Sequence, residues 1–354
     1  MIAAPVAEWP VVGHAAAVAL LRRALAGGHP AHAYLLTGPP QVGKATLARL
    51  FAQALLCQGD PAALDDAPRL PDVPCGRCQA CRRIARGVFP DVDWYSLARQ
   101  AAEPEQQGRV NKELSIDTIR RLQGSLGLRP YEGLWRVAVV EDADSLSLPA
   151  ANALLKTLEE PPPYAVILLL AADPGRLPAT IVSRSQIVPL RPLARAEVES
   201  ALRAQNVPAE AATLLAALSG GRLGWALETA AHPERLSERA ELLDALAALA
   251  AADLPARFAF AAELAGRFSA DRRGVFETLT QLALWWRDLL LVRLGCPDLT
   301  QNTDRIPQLE ALGAPLSPAQ IGAALSAIAL AQEQLEQNVS PRLALESMLL
   351  AFPD

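Results

Sequence analysis

Ala33-Tyr-Leu-Leu-Thr-Gly-Pro-Pro-Gln-Val-Gly-Lys-Ala-Thr46 is the stretch that decides the fold. Its first residues predict a short buried strand, which is followed by a glycine loop and then by a helix-forming run. Gly38, Gly43 and Lys44 match the phosphate-binding loop G-x-x-x-x-G-K, in which backbone N–H groups and a helix N-terminus face a phosphate. The sequence therefore predicts a nucleotide site in which Lys44 reaches the outer phosphates.

The loop departs from that pattern directly after its lysine. Nucleotide-hydrolysing proteins carry serine or threonine there to ligate magnesium, whereas this chain has Ala45, and a hydroxyl follows one place later. The loop thus allows ATP and magnesium to bind, at a site that lacks its usual magnesium hydroxyl. The residues predicted to form it are Gly38, Gly43, Lys44 and Thr46.

Strand-like and helix-like segments alternate along the first part of the chain. Such alternation predicts an α/β domain with a parallel sheet and right-handed crossovers. No strand pattern returns after Pro192, and the remainder reads as apolar-periodic helix. The predicted strands are Ala33–Thr37, Asp91–Leu97, Trp135–Val140, Val166–Ala172 and Gln186–Leu190. The predicted domains are a P-loop domain at 1–191 with an inserted cysteine module at about 57–86, a small three-helix domain at 192–232, and an all-α domain at 233–354.

The composition is that of a folded protein, with 51% hydrophobic and 20% charged residues in a chain of 354. The net charge of -5 and the absence of a long basic run argue against diffuse electrostatic binding to nucleic acid. The longest apolar runs are far shorter than the ~20 residues that span a bilayer. The start, Met1-Ile-Ala-Ala-Pro5, lacks the basic segment of a signal peptide. We therefore expect a cytoplasmic protein that does not contact a membrane.

Carboxylates follow the predicted strand that ends at Val140. In nucleotide-hydrolysing proteins with this loop, one carboxylate at such a strand end holds magnesium and the next orients the attacking water. Glu141 and Asp142 fall at those places, although in the order Glu-Asp rather than Asp-Glu. The sequence allows either a nucleotide site that uses Glu141 and Asp142 or a buried strand that ends in a solvated acidic turn.

Cysteines cluster at Cys75-Gly-Arg-Cys78-Gln-Ala-Cys81, where two C-x-x-C steps share their middle residue. Cys57 lies 18 positions before Cys75 and completes a possible set of four thiolates. Four thiolates can close a tetrahedral structural zinc site, and histidine is scarce in the chain. We expect zinc bound by these four residues, with Cys57 as the fourth ligand; the alternative is free thiols on a loop.

Arg184 lies in the turn Thr180-Ile-Val-Ser-Arg-Ser-Gln186, between a predicted short helix and the last predicted strand. Its small polar neighbours leave its side chain free to project. From the residues alone, Arg184 is either a surface arginine at a turn or an arginine that reaches a neighbouring subunit and neutralises phosphate charge there.

These features occur together in one family. The chain resembles the delta-prime family of bacterial DNA polymerase III clamp-loader subunits, which belongs to the AAA+ superfamily. The resemblance spans the chain and is sharpest up to the end of the α/β domain. It is carried by His32–Gly38, the cysteine cluster, Asn152-Ala-Leu-Leu-Lys-Thr-Leu-Glu-Glu-Pro-Pro162, Leu177-Pro-Ala-Thr-Ile-Val-Ser-Arg184 and Ser340-Pro-Arg-Leu-Ala-Leu-Glu346.

The resemblance implies a division of labour within an open ring of subunits. Gamma/tau subunits, assembled with delta, bind and hydrolyse ATP, and the ring places the sliding clamp on primed DNA. A delta-prime subunit acts mainly as a stator, and the arginine of its Ser-Arg-Cys turn completes a neighbour's ATP site. Here that arginine is Arg184, although Ser185 replaces the cysteine. The resemblance also implies a zinc module around the cysteines, a lid at 192–232 and a ring-forming collar at 233–354.

Several departures set the chain apart from the ATP-hydrolysing relatives. Besides Ala45, it has Ala171 and Ala172 where those relatives carry polar sensor residues. It also has Gly224 where an arginine belongs, although Arg222 is close by in the sequence. We therefore expect its own ATPase activity to be weak or absent. The alternative hypotheses are a gamma/tau-type or other AAA+ ATPase that hydrolyses ATP itself, and a zinc-bearing nucleic-acid binder.

Overall fold

The computed structural model describes residues 9–59, 73–103, 113–250, 252–337 and 339–353. The segment on which the signal-peptide prediction rests, and most of the part of the cysteine module between Cys57 and Cys75, lie outside these residues. Contacts divide the chain into two units. The first comprises Met1–Glu197 with Arg222–Gly224, and the second comprises Val198–Gly221 with Trp225–Asp354.

A five-stranded sheet forms the centre of the first unit. Its strand order is β2-β3-β4-β1-β5, and every pairing is parallel. Strands β1 and β4 are buried at every position, because their runs of apolar residues face helices on both sides of the sheet. The predicted α/β fold with a parallel sheet is confirmed. The strands are β1 (Ala33–Thr37), β2 (Val92–Tyr95), β3 (Arg136–Val140), β4 (Ala165–Ala171) and β5 (Gln186–Pro189).

The helices of the first unit cover both faces of this sheet. One buried cluster joins α1, α2 and the cysteine segment to the sheet, and a second joins α5 and α6 to its other face. Ser115 caps α5 by accepting a hydrogen bond from the Thr118 N–H. The helices are α1 (Ala15–Ala26), α2 (Lys44–Leu56), α3 (Gln79–Ala85), α4 (Leu97–Ala101), α5 (Ile116–Leu126), α6 (Leu148–Glu159) and α7 (Ala179–Ser183).

The rest of the described chain is helical, as predicted. Its largest buried side chains are Trp285 and Trp286, which lie in one apolar cluster of the second unit. The helices are α8 (Arg195–Ala204), α9 (Ala209–Leu218), α10 (Leu223–Ala231), α11 (Glu234–Ala250), α12 (Leu254–Phe268), α13 (Arg272–Arg293), α14 (Ile306–Gly313), α15 (Pro318–Glu336) and α16 (Pro341–Leu350).

Within the second unit, a buried arginine on α12 holds the residues that follow α16. Arg257 on α12 donates to backbone carbonyls that follow α16, those of Phe352 and Pro353, at 3.1 and 2.6 Å. Carbonyls at a helix end have no partner within the helix, so a cation there satisfies them and complements the helix dipole.

Within the described residues, no single helix is long and apolar enough to cross a membrane, although the bent pair Thr303–Gly313 and Pro318–Glu336 passes by length and composition alone.

Candidate functional site

The glycine loop joins β1 to α2 at the carboxyl edge of the sheet, as predicted. Gly38 has a φ of 144°, and a Cβ there would lie 2.2 Å from the Leu190 carbonyl oxygen, so the end of β5 excludes any side chain. Gly43 has a φ of 118° and directly precedes α2. His14 supports the far side of the loop, with its Nε2 3.0 Å from the Val42 carbonyl oxygen. The glycines therefore fit the close packing of the loop as well as a phosphate site.

Lys44 folds back onto this loop. Its ammonium donates hydrogen bonds to the carbonyl oxygens of Gly38 and, at 2.9 Å, of Pro39. Burial lowers the pKa of Lys44, and the negative charges of Asp144 and Asp142 oppose that shift. To reach a phosphate, Lys44 would have to exchange these carbonyls for phosphate oxygens.

A glycine lies against the outer side of the loop. The Gly224 N–H donates to the Gln41 carbonyl oxygen at 2.9 Å, and Gln41 itself has a left-handed φ of 60°. A Cβ at position 224 would lie 2.8 Å from that oxygen, which is too close for a side chain without movement of the backbone. The position where ATP-hydrolysing relatives are expected to carry arginine is thus packed against the loop.

The carboxylates after β3 hold the local backbone. Asp142 accepts from the Leu97 N–H at 3.2 Å, and Asp144 accepts from the Ala172 N–H at 2.9 Å. Glu141 is half-buried, and its pKa is raised by burial and by the charge of Asp142, against the opposing charges of two nearby arginines. Because Asp142 and Asp144 already accept backbone hydrogen bonds, they are only partly available to a magnesium ion.

The four predicted cysteines lie together. The sulfur atoms of Cys57, Cys75, Cys78 and Cys81 are all within 4.8 Å of one another. Tetrahedral zinc with Zn–S bonds of about 2.3 Å separates its sulfurs by about 3.8 Å, so a small inward shift gives that geometry. This cluster of four thiols could hold a metal ion, and its donor set is the one that structural zinc prefers.

Backbone N–H groups donate hydrogen bonds to three of these sulfurs. The Cys57 sulfur accepts from the N–H groups of Gly59 and Cys75, and the same pattern repeats from Cys78 to Cys75 and from Cys81 to Cys78. A hydrogen bond from the Cys81 thiol, with these N–H groups, lowers the pKa of Cys57 to about 5 despite its partial burial.

The cluster is attached to the helix that follows the glycine loop. Cys57 is the residue directly after α2, and the Gln53 side chain on the last turns of α2 donates to the Cys81 carbonyl oxygen at 2.8 Å. Cys78 and Cys81 belong to the apolar cluster that includes Phe51 of the same helix. A metal bound here would therefore stabilise the C-terminal end of α2.

Arg184 directly follows α7 and is partly exposed. Its guanidinium makes an ion pair with Glu159 at 2.9 Å and donates to the Thr180 carbonyl oxygen at 3.3 Å. Ser185, which stands where the resemblance expects cysteine, donates its hydroxyl to the Ile181 carbonyl oxygen at 2.9 Å. Serine at 185 therefore adds a second hydrogen bond to this carbonyl, which also accepts from the Arg184 N–H at 3.2 Å.

Arg184 and the glycine loop lie at opposite edges of the sheet. Strand β5 begins at Gln186, which pairs with Tyr34, whereas the loop begins after Thr37, at the other end of β1. With a rise of about 3.3 Å per residue, Arg184 and Gly38 are separated by about 15 Å along the strand direction. Arg184 therefore does not reach the phosphate loop of its own chain.

Residue patterns did not predict the partners of these groups. Glu159 is 25 positions from Arg184 in the sequence, and only tertiary packing of α6 against α7 brings them together. One signal was available in the sequence: Glu159 and Glu160 stand at the end of a helix, directly before three prolines, where a negative charge is unfavourable without a partner.

Comparison with known proteins then identifies the family. Residues 13–194 match the family model described as DNA polymerase III, delta subunit, and residues 233–354 match the model of its C-terminal region. The chain belongs to the DNA polymerase III delta-subunit family. It is 27% identical to subunit delta' of DNA polymerase III from Bacillus subtilis over 323 residues, which cover 91% of each chain.

Other relatives match over part of their length. Subunit delta' from Pseudomonas aeruginosa is 42% identical over 194 residues, covering 54% of this chain and 53% of that protein. Subunit tau from Bacillus subtilis is 33% identical over 176 residues, covering 50% of this chain and 27% of that protein. The chain thus spans about half of the first relative and about a quarter of the second.

Proposed function

We propose that this chain is a delta-prime-type subunit of the bacterial replicative clamp loader. In this role it is a stator that supplies Arg184 to the ATP site of a neighbouring subunit while a sliding clamp is loaded onto primed DNA. The observation that carries the proposal is the position of Arg184, partly exposed at the edge of the sheet opposite its own phosphate loop. An arginine placed there serves phosphate chemistry only if a second subunit brings its nucleotide to it.

The state of the chain's own loop supports the same assignment. Lys44 is bonded to carbonyls of the loop, Ala45 cannot ligate magnesium, and Asp142 is engaged with backbone. We propose that Gly38, Gly43, Lys44, Thr46, Glu141 and Asp142 form a degenerate nucleotide site that contributes little or no hydrolysis. The similarity to delta' subunits over most of the chain is consistent with this role.

The partners follow from the proposed role. They are the gamma/tau and delta subunits in a hetero-oligomeric ring, with the clamp and primed DNA engaged through that complex. In this arrangement, residues 1–191 form the AAA+ domain, 192–232 form its lid and 233–354 form the collar.

A second candidate is an ATPase of the gamma/tau type, which the 33% identity to a tau subunit favours. It differs from the stator proposal in requiring that the glycine loop of this chain hydrolyses ATP. The two candidates make opposite predictions for substitutions of Lys44 and of Arg184.

We also propose that the four cysteines bind a structural zinc ion, with Cys57 as the fourth ligand. The all-thiolate donor set and the N–H groups aimed at the sulfurs support zinc over harder ions, which prefer oxygen ligands. When bound, zinc supplies cross-linking of the module rather than chemistry, since all four positions of a tetrahedral site are filled by protein.

The test of the stator role is Arg184→Ala in a clamp loader reconstituted with gamma/tau and delta subunits from the same genome. Arginine fingers contribute on the order of 10³–10⁵ in rate, so one site's share of the pre-steady-state ATP hydrolysis burst is expected to disappear. Assembly, measured by size-exclusion chromatography, should be unchanged. Arg184→Lys keeps the charge without the planar fork and should recover only part of the burst.

Arg191→Ala is the matched control, since Arg191 is also an exposed arginine of the first unit. An unchanged burst in Arg184→Ala would refute the proposed role. Equal losses in the Arg184 and Arg191 variants would point to general loss of surface charge instead.

A further inference from the structure

We propose that Glu159 is a positioning residue for Arg184, which orients its guanidinium for the neighbouring subunit's nucleotide. This inference rests on the proposed function, and its geometry is a two-point attachment. Arg184 Nη2 is 2.9 Å from Glu159 Oε1, and Nη1 donates to the Thr180 carbonyl oxygen at 3.3 Å. The first anchor lies on α6 and the second on α7, so the guanidinium plane is held between two helices.

Two anchors leave the remaining donors of the guanidinium facing outward. A guanidinium carries five N–H donors in a fixed fork, and the carboxylate and the carbonyl engage only part of that set. The Arg184 and Glu159 side chains are 37% and 51% exposed, so the pair lies at the surface where another subunit can approach. Without Glu159, the long arginine side chain would sample several rotamers, and its fork would match a phosphate less often.

The placement of Glu159 is difficult to explain by stability. It occupies the last residue of α6, and Pro161-Pro-Pro163 follows, so the chain leaves the helix at once. A carboxylate in the last turn opposes the negative end of the helix dipole. An exposed ion pair adds little to folding. The carboxylate therefore lies at an unfavourable end of its helix, and among the residues that the structure describes its ion pair is with Arg184.

The chain supplies a matched control at the next position. Glu160 is also exposed, caps the same helix end and carries the same charge, whereas the ion pair to Arg184 is made by Glu159. Glu159→Gln and Glu160→Gln thus remove the same charge from the same helix terminus, and only the first removes the carboxylate that holds Arg184.

The experiment uses the reconstituted loader and the hydrolysis burst of the site that Arg184 completes. Glu159→Gln should slow that burst about tenfold with the KM for ATP unchanged, because misplacement of a catalytic group lowers the rate of the chemical step. Glu160→Gln should match the wild type. In the Arg184→Ala background, Glu159→Gln should have no further effect. The thermal midpoint of Glu159→Gln should be equal to or above that of the wild type, which a purely structural role would not give.

The outcomes separate this inference from the proposed function. If Arg184→Ala removes the burst and Glu159→Gln leaves it intact, the inference is wrong and the stator role stands. If Arg184→Ala has no effect, both are wrong. A faster burst in Glu159→Gln would mean that Glu159 restrains Arg184 rather than positions it, and equal slowing by Glu160→Gln would reduce the effect to local charge.

A measurement on the isolated chain tests the attachment without any partner. Side-chain ¹⁵N relaxation of the Arg184 Nε–H group should show a rigid group in the wild type and in Glu160→Gln, and a mobile one in Glu159→Gln. A group that is equally mobile in all three proteins would overturn the positioning role.

Discussion

Asp91 is fully buried at the start of β2, and it organises the loop that leads into β3. Its carboxylate accepts hydrogen bonds from three successive backbone N–H groups and lies 3.3 Å from a guanidinium nitrogen of Arg136. The loop passes close to Leu56 at the end of α2, because a Cβ at position 133 would lie 2.3 Å from a methyl carbon of that leucine. The N–H donors are those of Tyr131, Glu132 and Gly133, at 2.6, 2.8 and 2.9 Å.

Replacement of this carboxylate should therefore be costly. Asp91→Ala leaves three buried N–H groups without their acceptor and removes one of the two carboxylates beside Arg136. We expect the free energy of unfolding of the first unit to fall by about 3 kcal/mol. Asp93→Ala is the control, because its side chain lies on the same strand near the same arginine but is 37% exposed, and its loss should cost less than about 1 kcal/mol. Urea unfolding measures both, with hydrogen exchange of residues 128–136 as the local readout. Similar unfolding midpoints for the two variants would contradict this account.

At the scale of elements, apolar patterns predicted where the strands lie, and contacts of the residues at their ends determined where each strand stops. Strand β1 has the predicted bounds because its five residues are all buried and a glycine ends it. Strand β2 is shorter than the predicted Asp91–Leu97, because Ser96 leaves the strand to cap α4 by accepting from the Arg99 N–H. A hydrophobic pattern marks where a strand is buried, but it does not report which polar residue at its end caps the next helix.

The same limit applies to the candidate site. The spacing of Cys75, Cys78 and Cys81 predicted their clustering, because two C-x-x-C steps keep three thiols close together along the chain. The approach of Cys57 depends on how α2 packs against α3, and the pairing of Glu159 with Arg184 depends on how α6 packs against α7. Local sequence does not encode such distances, so the sequence indicated the residue types and the structure supplied their partners.

The cysteine module leads to a prediction at this scale. The purified chain should contain about one zinc ion, and Cys78→Ser should lose it, because three thiolates bind zinc far more weakly than four. The thermal midpoint should fall as well, since the module packs on the end of α2 through Gln53 and Cys81. Elemental analysis and thermal unfolding measure the two effects. Cys296→Ser, at an exposed thiol in the second unit, should change neither. A wild-type chain that contains no zinc would end this proposal.

At the scale of the whole molecule, the phosphate loop and Arg184 lie at opposite ends of the strands. An ATPase site that supplied its own arginine would need both at the same end. The phosphate loop follows β1 at its carboxyl end, and Arg184 precedes β5 at its amino end. Such a chain is suited to head-to-tail contacts, in which one edge of a subunit meets the opposite edge of the next. A subunit whose own loop is degenerate can then occupy the end of an open ring and still be needed by its neighbour.

This arrangement predicts different effects on ATP turnover for a substitution in the phosphate loop and for a substitution of Arg184. Lys44→Ala alters the loop. Under the proposed function this loop contributes little hydrolysis, so ATP turnover of the reconstituted loader should stay at the wild-type level. Arg184→Ala alters the other edge and should lower turnover at the neighbour's site. The isolated chain, assayed with and without primed DNA, should hydrolyse ATP no faster than its own Lys44→Ala variant, which controls for contaminating ATPases. DNA-stimulated turnover by the isolated wild type that Lys44→Ala abolishes would instead establish the chain as an ATPase in its own right, because only the lysine of a working phosphate loop would carry that dependence.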